Sequence, residues 1–346
     1  MTRQRVRAFD WLRGLAVLVM IQTHSLALLK PELRAGDFFA RLQWLDGLVA
    51  PSFIFAAGFA MALTQVRAAA GGGSRSRRIK RTLRRLAEVL AVATLVNWAW
   101  FPIFREPRWL IRIDILHCIG LSLLIALPIL ALLAPHPRAL RWSSLALAAT
   151  AFGLSPLTEP IKAPLGHFLN VNTGSVFPLL PWGGYVYLGA AVGASKTTRE
   201  MVMTLVGLAV AGVVIWIFTA QVAALYPPHN FWVTDPANHA RRWTQVCVLS
   251  IGLLAVERTW KTIPVWFIEV FGTSSLAGYF FHEMLLFFRI RGTCFEAVWG
   301  NRLSWARYWP VLALLVAFTF ALTWLTDQVY RRADAAISTP VPSTAG

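Results

Sequence analysis

The chain has 346 residues, of which 57% are apolar and only 14% charged, with a mean hydropathy of +0.56; soluble domains carry about 25% charged residues, so an ordinary water-soluble domain is excluded. A formal net charge of +17 would point to nucleic acid in a soluble protein, but in so apolar a chain its placement is a topology signal and no nucleic-acid partner is expected. The three cysteines, Cys118, Cys247 and Cys294, lack metal-type spacing and support neither a disulfide framework nor a zinc site.

Mostly apolar stretches of about 20 residues with few charges, the length that crosses a ~30 Å hydrocarbon core, occur at 11–29, 46–65, 86–104, 113–133, 143–157, 177–194, 201–225, 244–256, 265–288 and 308–330. The fifth and eighth are short. The expected fold class is all-α: a polytopic bundle of about ten transmembrane helices in contact with membrane lipid, one domain over 1–334 and a disordered tail over 335–346. The first stretch has a basic start like a signal peptide. No small-x-small cleavage site precedes Lys30 and Pro31, so it reads as an uncleaved helix.

With the N-terminus inside and alternating spans, 20 of the 33 Lys and Arg fall on the cytoplasmic side, among them Arg75, Arg77, Arg78, Lys80, Arg81, Arg84 and Arg85. Short-loop cations of this kind mark the inner face, and an even span count returns the C-terminus there; a multi-pass inner-membrane protein is expected. The basic loop 67–85, with Gly71, Gly72 and Gly73, reads as a flexible hinge that can also grip an anionic ligand or lipid.

Ionisable groups inside a bilayer are costly and are the default functional candidates. Asp10, Arg13 and His24 lie on the first helix. The steps from Arg13 to His24 return to within about 20° of one face and span about 16 Å, with Gly14 allowing a neighbouring helix close. Asp46 opens the second span, and Asp114 and His117, a turn apart, open the fourth. Pro178, Pro181 and Trp182 mark the start of the sixth; Ser275, Tyr279 and His282 share a face of the ninth, with Glu283 beside the histidine. Four helices thus deliver His or Asp to one expected depth, the pattern of a cavity. Helix capping by Asp46 and Asp114 and interhelical packing by His117 and His282 remain open, and the 16 Trp read as interfacial anchors without a cofactor role.

The stretches FDWLRGLAVLVMIQTH, APSFIFAAGFAMAL, DILHCIGLSLL, FPLLPWGGYVYLGAAVG and GTSSLAGYFFHEMLLF resemble, in order, the bacterial relatives of heparan-alpha-glucosaminide N-acetyltransferase, within a wider superfamily of transmembrane acyltransferases. The ten residues between Arg13 and His24 also resemble the arginine and histidine pair of that superfamily. The resemblance implies transfer of an acyl group, most simply acetyl, from cytoplasmic acetyl-CoA to a hydroxyl or amine of a sugar or glycan at the outer face, with no metal. With the polar residues of the spans read beside it, the catalytic candidates are His24, His282 and Asp46, and the candidates for donor or acceptor contacts are Arg13, Asp10, Asp114, His117, Ser275, Tyr279 and Trp182. One position departs: Trp44, Asp46 and Gly47 match a family stretch, but Arg41 stands where that branch carries its histidine. Either His24 performs that role or the reaction has been lost. A proton-coupled transporter of a small molecule or lipid-linked glycan, a non-catalytic membrane protein and a homo-oligomer stay open.

Overall fold

The computed structural model describes residues 5–100, 112–260 and 265–338. The outer end of the third expected span, at 101–104, and the last part of the expected tail, 339–346, lie outside the described residues. The chain forms fifteen α-helices among the described residues: α1 (Arg7–Ser25), α2 (Asp37–Asp46), α3 (Val49–Ala70), α4 (Arg75–Trp100), α5 (Ile115–Leu133), α6 (Pro137–Leu154), α7 (Gly166–Leu169), α8 (Leu179–Gly193), α9 (Thr198–Ile217), α10 (Thr219–Ala223), α11 (Pro236–Thr259), α12 (Trp266–Thr273), α13 (Ser275–Phe287), α14 (Phe295–Trp299) and α15 (Trp305–Ser338). Strands are absent among the described residues. Among the described residues, five segments are long and apolar enough to cross a membrane: Arg7–Leu28, Asp37–Ala70, Ile115–Leu133, Thr198–Ile217 and Trp305–Arg332. On α9 the side chains of Met203, Val206, Val210, Val213 and Ile217 are exposed, an apolar stripe at helical spacing that suits lipid.

Two expectations about element boundaries change. Asp46 closes α2 and does not open the next helix, whose N-cap is Leu48; a short helix of mixed polarity precedes the apolar run and takes the aspartate into its own last turn. The ninth expected span is two helices, α12 and α13, interrupted at Ser274 (φ −108°, ψ 36°). Ser274 Oγ donates to Asp327 Oδ1 at 2.9 Å, which gives the broken turn a polar partner.

Contacts group the chain into two compact units, one within Met1–Leu12 and Trp44–Thr262, the other within Arg13–Gln43 and Ile263–Gly346. In the first, α8 packs on α3, α5 and α6, α9 on α11, and α4 on α5. The α3–α8 contact is backbone to backbone: a Cβ on Gly58 would stand 1.9 Å from the Val186 carbonyl oxygen, and one on Gly189 would stand 1.9 Å from that of Phe55. Small residues permit this approach where lipid removes the hydrophobic drive for helix association. The start of α1 is anchored in the same unit by Glu257, whose two carboxylate oxygens accept from Arg7 N–H at 2.8 Å and Ala8 N–H at 3.0 Å, satisfying donors that a helix start leaves open. Phe9 stacks on Phe59. In the second unit α12 and α13 pack on α15, and Gly14 of α1 meets the Ile268 carbonyl of α12, where a Cβ would stand at 2.1 Å.

The loop before α11 is held by polar contacts. Asp235 Oδ1 accepts from Ala237 N–H and Asn238 N–H as N-cap, and Oδ2 lies 2.9 Å from His229 Nε2. His229 Nδ1 lies 2.8 Å from the Pro227 carbonyl oxygen, so both ring nitrogens face acceptors. Burial alone lowers the His229 pKa, but the bonds to Asp235 and Pro227 and the charges of Asp235 and Glu159 outweigh it and leave the pKa above its ordinary 6.5. A raised histidine pKa contributes stability fully below the unfolded value and loses it as pH climbs through the folded value. The melting-temperature gap between wild type and His229→Gln is therefore expected to be widest below about pH 6 and to close as pH rises; a gap that widens with pH would refute the pairing.

Candidate active site

The second unit brings His24 of α1 and His282 and Glu283 of α13 into one cluster. His24 Nδ1 lies 2.7 Å from Glu283 Oε1 and 3.0 Å from His282 Nε2, while His282 Nε2 and Glu283 Oε1 are 3.2 Å apart. His282 Nδ1 donates to the Gly278 carbonyl at 3.0 Å, which assigns its proton to Nδ1 and leaves Nε2 as an acceptor in the neutral ring. Side-chain exposure is 36% for His24, 0% for His282 and 4% for Glu283, so the cluster is buried on the α13 side and open at His24. Tyr279 meets His282 edge-on with ring centroids 5.5 Å apart, and Ser275, a turn before it, is buried.

The last turn of α1 is locked just beyond His24. Ser25 Oγ and Tyr308 Oη are 2.8 Å apart, and each also lies within donating distance of the Gln22 carbonyl oxygen, at 2.8 and 3.1 Å, so that two protons serve a three-way contact. Ser25 and Tyr308 are fully buried, which fixes the helical turn from which the imidazole projects.

The other sequence candidates occupy separate places. Arg13 is half-buried on α1 in the second unit. In the first unit, Asp10 accepts from Arg5 Nε at 2.5 Å, and Asp114 caps α5 by accepting from Ile115 N–H at 2.7 Å. His117 is buried on α5 with Nδ1 lacking a hydrogen-bond partner among the described residues. Trp182 meets Phe177 and His239 edge-on, with Arg242 over its ring at 5.9 Å. His239 was not among the sequence candidates, yet it is wholly buried and bonded to Tyr185 Oη at 2.8 Å and to the Val233 carbonyl at 2.9 Å. Glu283 was noted beside a histidine without a role. Its helical spacing from Tyr279, four positions, was the available signal.

A multi-helix membrane bundle carrying a buried histidine–carboxylate cluster is the class that the fold and these side chains define. The sequence model of the family described as heparan-alpha-glucosaminide N-acetyltransferase, catalytic, matches residues 5–217. The chain belongs to this family of membrane acetyltransferases. No curated protein matches it. The matched span includes Arg13 and His24 and ends before His282 and Glu283.

Proposed function

We propose that the chain is a multi-pass enzyme of the cytoplasmic membrane, with about ten crossings and both ends inside. In this reading it moves an acyl group, most simply acetyl, from cytoplasmic acyl-CoA to a hydroxyl or amine of a sugar or glycan at the outer face. The observation that carries the reading is the 2.7 Å pairing of His24 Nδ1 with Glu283. A carboxylate only accepts, so Nδ1 holds the ring proton, and the lone pair at Nε2 is left as a base on the more open residue of the cluster. As the acceptor oxygen or nitrogen attacks the thioester carbonyl, Nε2 takes its proton and Glu283 stabilises the imidazolium. The carbon–sulfur bond breaks, and the same proton passes to the departing thiolate. His282 and Tyr279 hold the cluster; Asp46, Asp114, His117, Ser275 and Trp182 are the remaining candidates for acceptor contacts, and Asp10 holds Arg5 on the donor side.

The anionic end of the donor needs cations. Arg13 is one, since guanidinium binds phosphate through paired donors. A second supporting feature is a cavity of about 150 Å³ at the α3–α4 turn, lined by Gly73, Ser74, Arg77, Arg78 and Arg81, where Arg78 is fixed by donating to the Gly73 carbonyl at 2.6 Å. The double substitution Arg77→Ala with Arg81→Ala is expected to raise the KM for acetyl-CoA roughly tenfold at unchanged kcat, about 1.4 kcal/mol of binding. An unchanged KM would remove this cavity from the donor site.

The direct test of the reading is binding of acetyl-CoA to the detergent-purified protein, compared with free CoA and with Arg13→Ala. Binding that weakens in the variant supports an acyl-CoA enzyme. Failure of the folded protein to bind would favour the second reading, a proton-coupled transporter of a small molecule or lipid-linked glycan, which has one observation of its own: α12 and α13 form a helix interrupted at Ser274, and discontinuous helices are a feature of secondary transporters.

A further inference from the structure

The polar cluster of the second unit has more acceptors than donors. With both imidazoles neutral, His282 gives its one N–H to the Gly278 carbonyl. His24 then supplies a single N–H toward both His282 Nε2 and Glu283 Oε1. Those two atoms, each presenting a lone pair, face one another at 3.2 Å without a proton between them, and Glu283 Oε2 is buried with no hydrogen-bond partner among the described residues. Electron pairs converging in a buried site call for a cation, either one more proton on the cluster or a metal ion.

We propose that His24 Nδ1, His282 Nε2 and Glu283 Oε1 form a binding site for a divalent transition-metal ion, zinc foremost, and that an ion bound there shuts off the acyl transfer assigned above. Three features of the cluster fit a metal. Two imidazole nitrogens and one carboxylate oxygen are a common donor set for zinc, and all three atoms lie within 4.8 Å of one another. Bonds of about 2.0–2.2 Å at tetrahedral angles hold ligand atoms roughly 3.3 Å apart, so the observed separations need to open by at most roughly 0.6 Å. The bond from His282 Nδ1 to the Gly278 carbonyl is the outer contact that aims the other ring nitrogen of a metal-bound histidine. The nitrogen donors favour zinc, copper or nickel over magnesium, which prefers oxygen.

The inhibitory part rests on the reading of His24 as base. A metal on Nδ1 displaces the proton that pairs with Glu283, moves the ring proton to Nε2 and removes the lone pair that would accept the substrate proton. Activity should then fall with added zinc and return with a chelator.

The test is zinc alone, titrated into the chelator-treated, detergent-purified full chain against a chromophoric chelator, with no acyl donor present. The expected result is one ion per chain, binding at least tenfold weaker in His24→Ala and in Glu283→Gln, unchanged in His167→Ala, and not displaced by excess magnesium. His24→Ala is the decisive variant because His24 is the more open residue and its truncation leaves the buried side of the cluster intact. No zinc binding by the wild type, or equal binding by wild type and His24→Ala, would overturn the site and assign the missing cation to a proton on His282. Zinc binding without any acyl transfer would instead sink the enzyme reading and leave the metal site standing.

Discussion

His24→Ala should reduce acyl transfer from acetyl-CoA to background while the protein still inserts, purifies and elutes as wild type. Removing a positioned general base costs typically 10² to 10⁴ in rate. The substitution touches one partly open side chain, whereas the turn that carries it is held separately by Ser25 and Tyr308. Glu283→Gln tests the pairing itself. The amide still accepts a bond from His24 Nδ1 but no longer offsets the imidazolium charge, so kcat should drop by about ten to a thousandfold with KM for acetyl-CoA little changed. Steady-state kinetics on protein in detergent or liposomes decide both. Full activity in His24→Ala would remove the histidine from the chemistry, and a change confined to KM in Glu283→Gln would make the glutamate a binding group.

The second large effect concerns the fold. Gly189→Val should fail to give monodisperse protein, because the new Cβ is directed at the Phe55 carbonyl oxygen, 1.9 Å away, and a backbone oxygen on a packed helix cannot step aside. Overpacked cores lose about 1–3 kcal/mol when side chains can yield; separating α3 from α8 costs more, against a typical total of 5–15 kcal/mol. Gly193, where a Cβ would stand 2.4 Å from the Phe59 carbonyl oxygen, belongs to the same seam. Gly207 on α9 has nothing within 4 Å of such a Cβ, so Gly207→Val is the matched control and should melt as wild type. Size-exclusion profiles and melting temperatures of the pair measure the difference, and a Gly189→Val protein with wild-type stability would mean that the two helices do not touch there.

Much of the helical order was readable because apolar length and local charge are local properties. Helices run through each of the ten apolar stretches, and the Asp114 cap follows from a single residue at a helix start. The break at Ser274 was not readable. GTSSLAG is uncharged and short, so a reading for apolar length runs one span straight through it, and the partner that favours the interruption, Asp327, lies 53 residues away. Asp46 was misplaced because α2 is too short and too polar for a hydropathy criterion to register. Sequence reading put His24 and His282 at one depth, but their contact joins positions 258 residues apart. Glu283 could gain a role only once α1 was seen packed beside α13. Pairings of that kind live in tertiary structure, where helical periodicity carries no information.

The three cysteines are free and buried, and that has a practical reach. A thiol added at a loop or a lipid-facing turn stands out against a quiet native background, so impermeant maleimides can report sidedness one position at a time without a cysteine-less parent. Introduced at Ser74 and at Asn230, such labels would test from intact cells whether these two loops lie on opposite faces of the membrane, as the proposed topology requires.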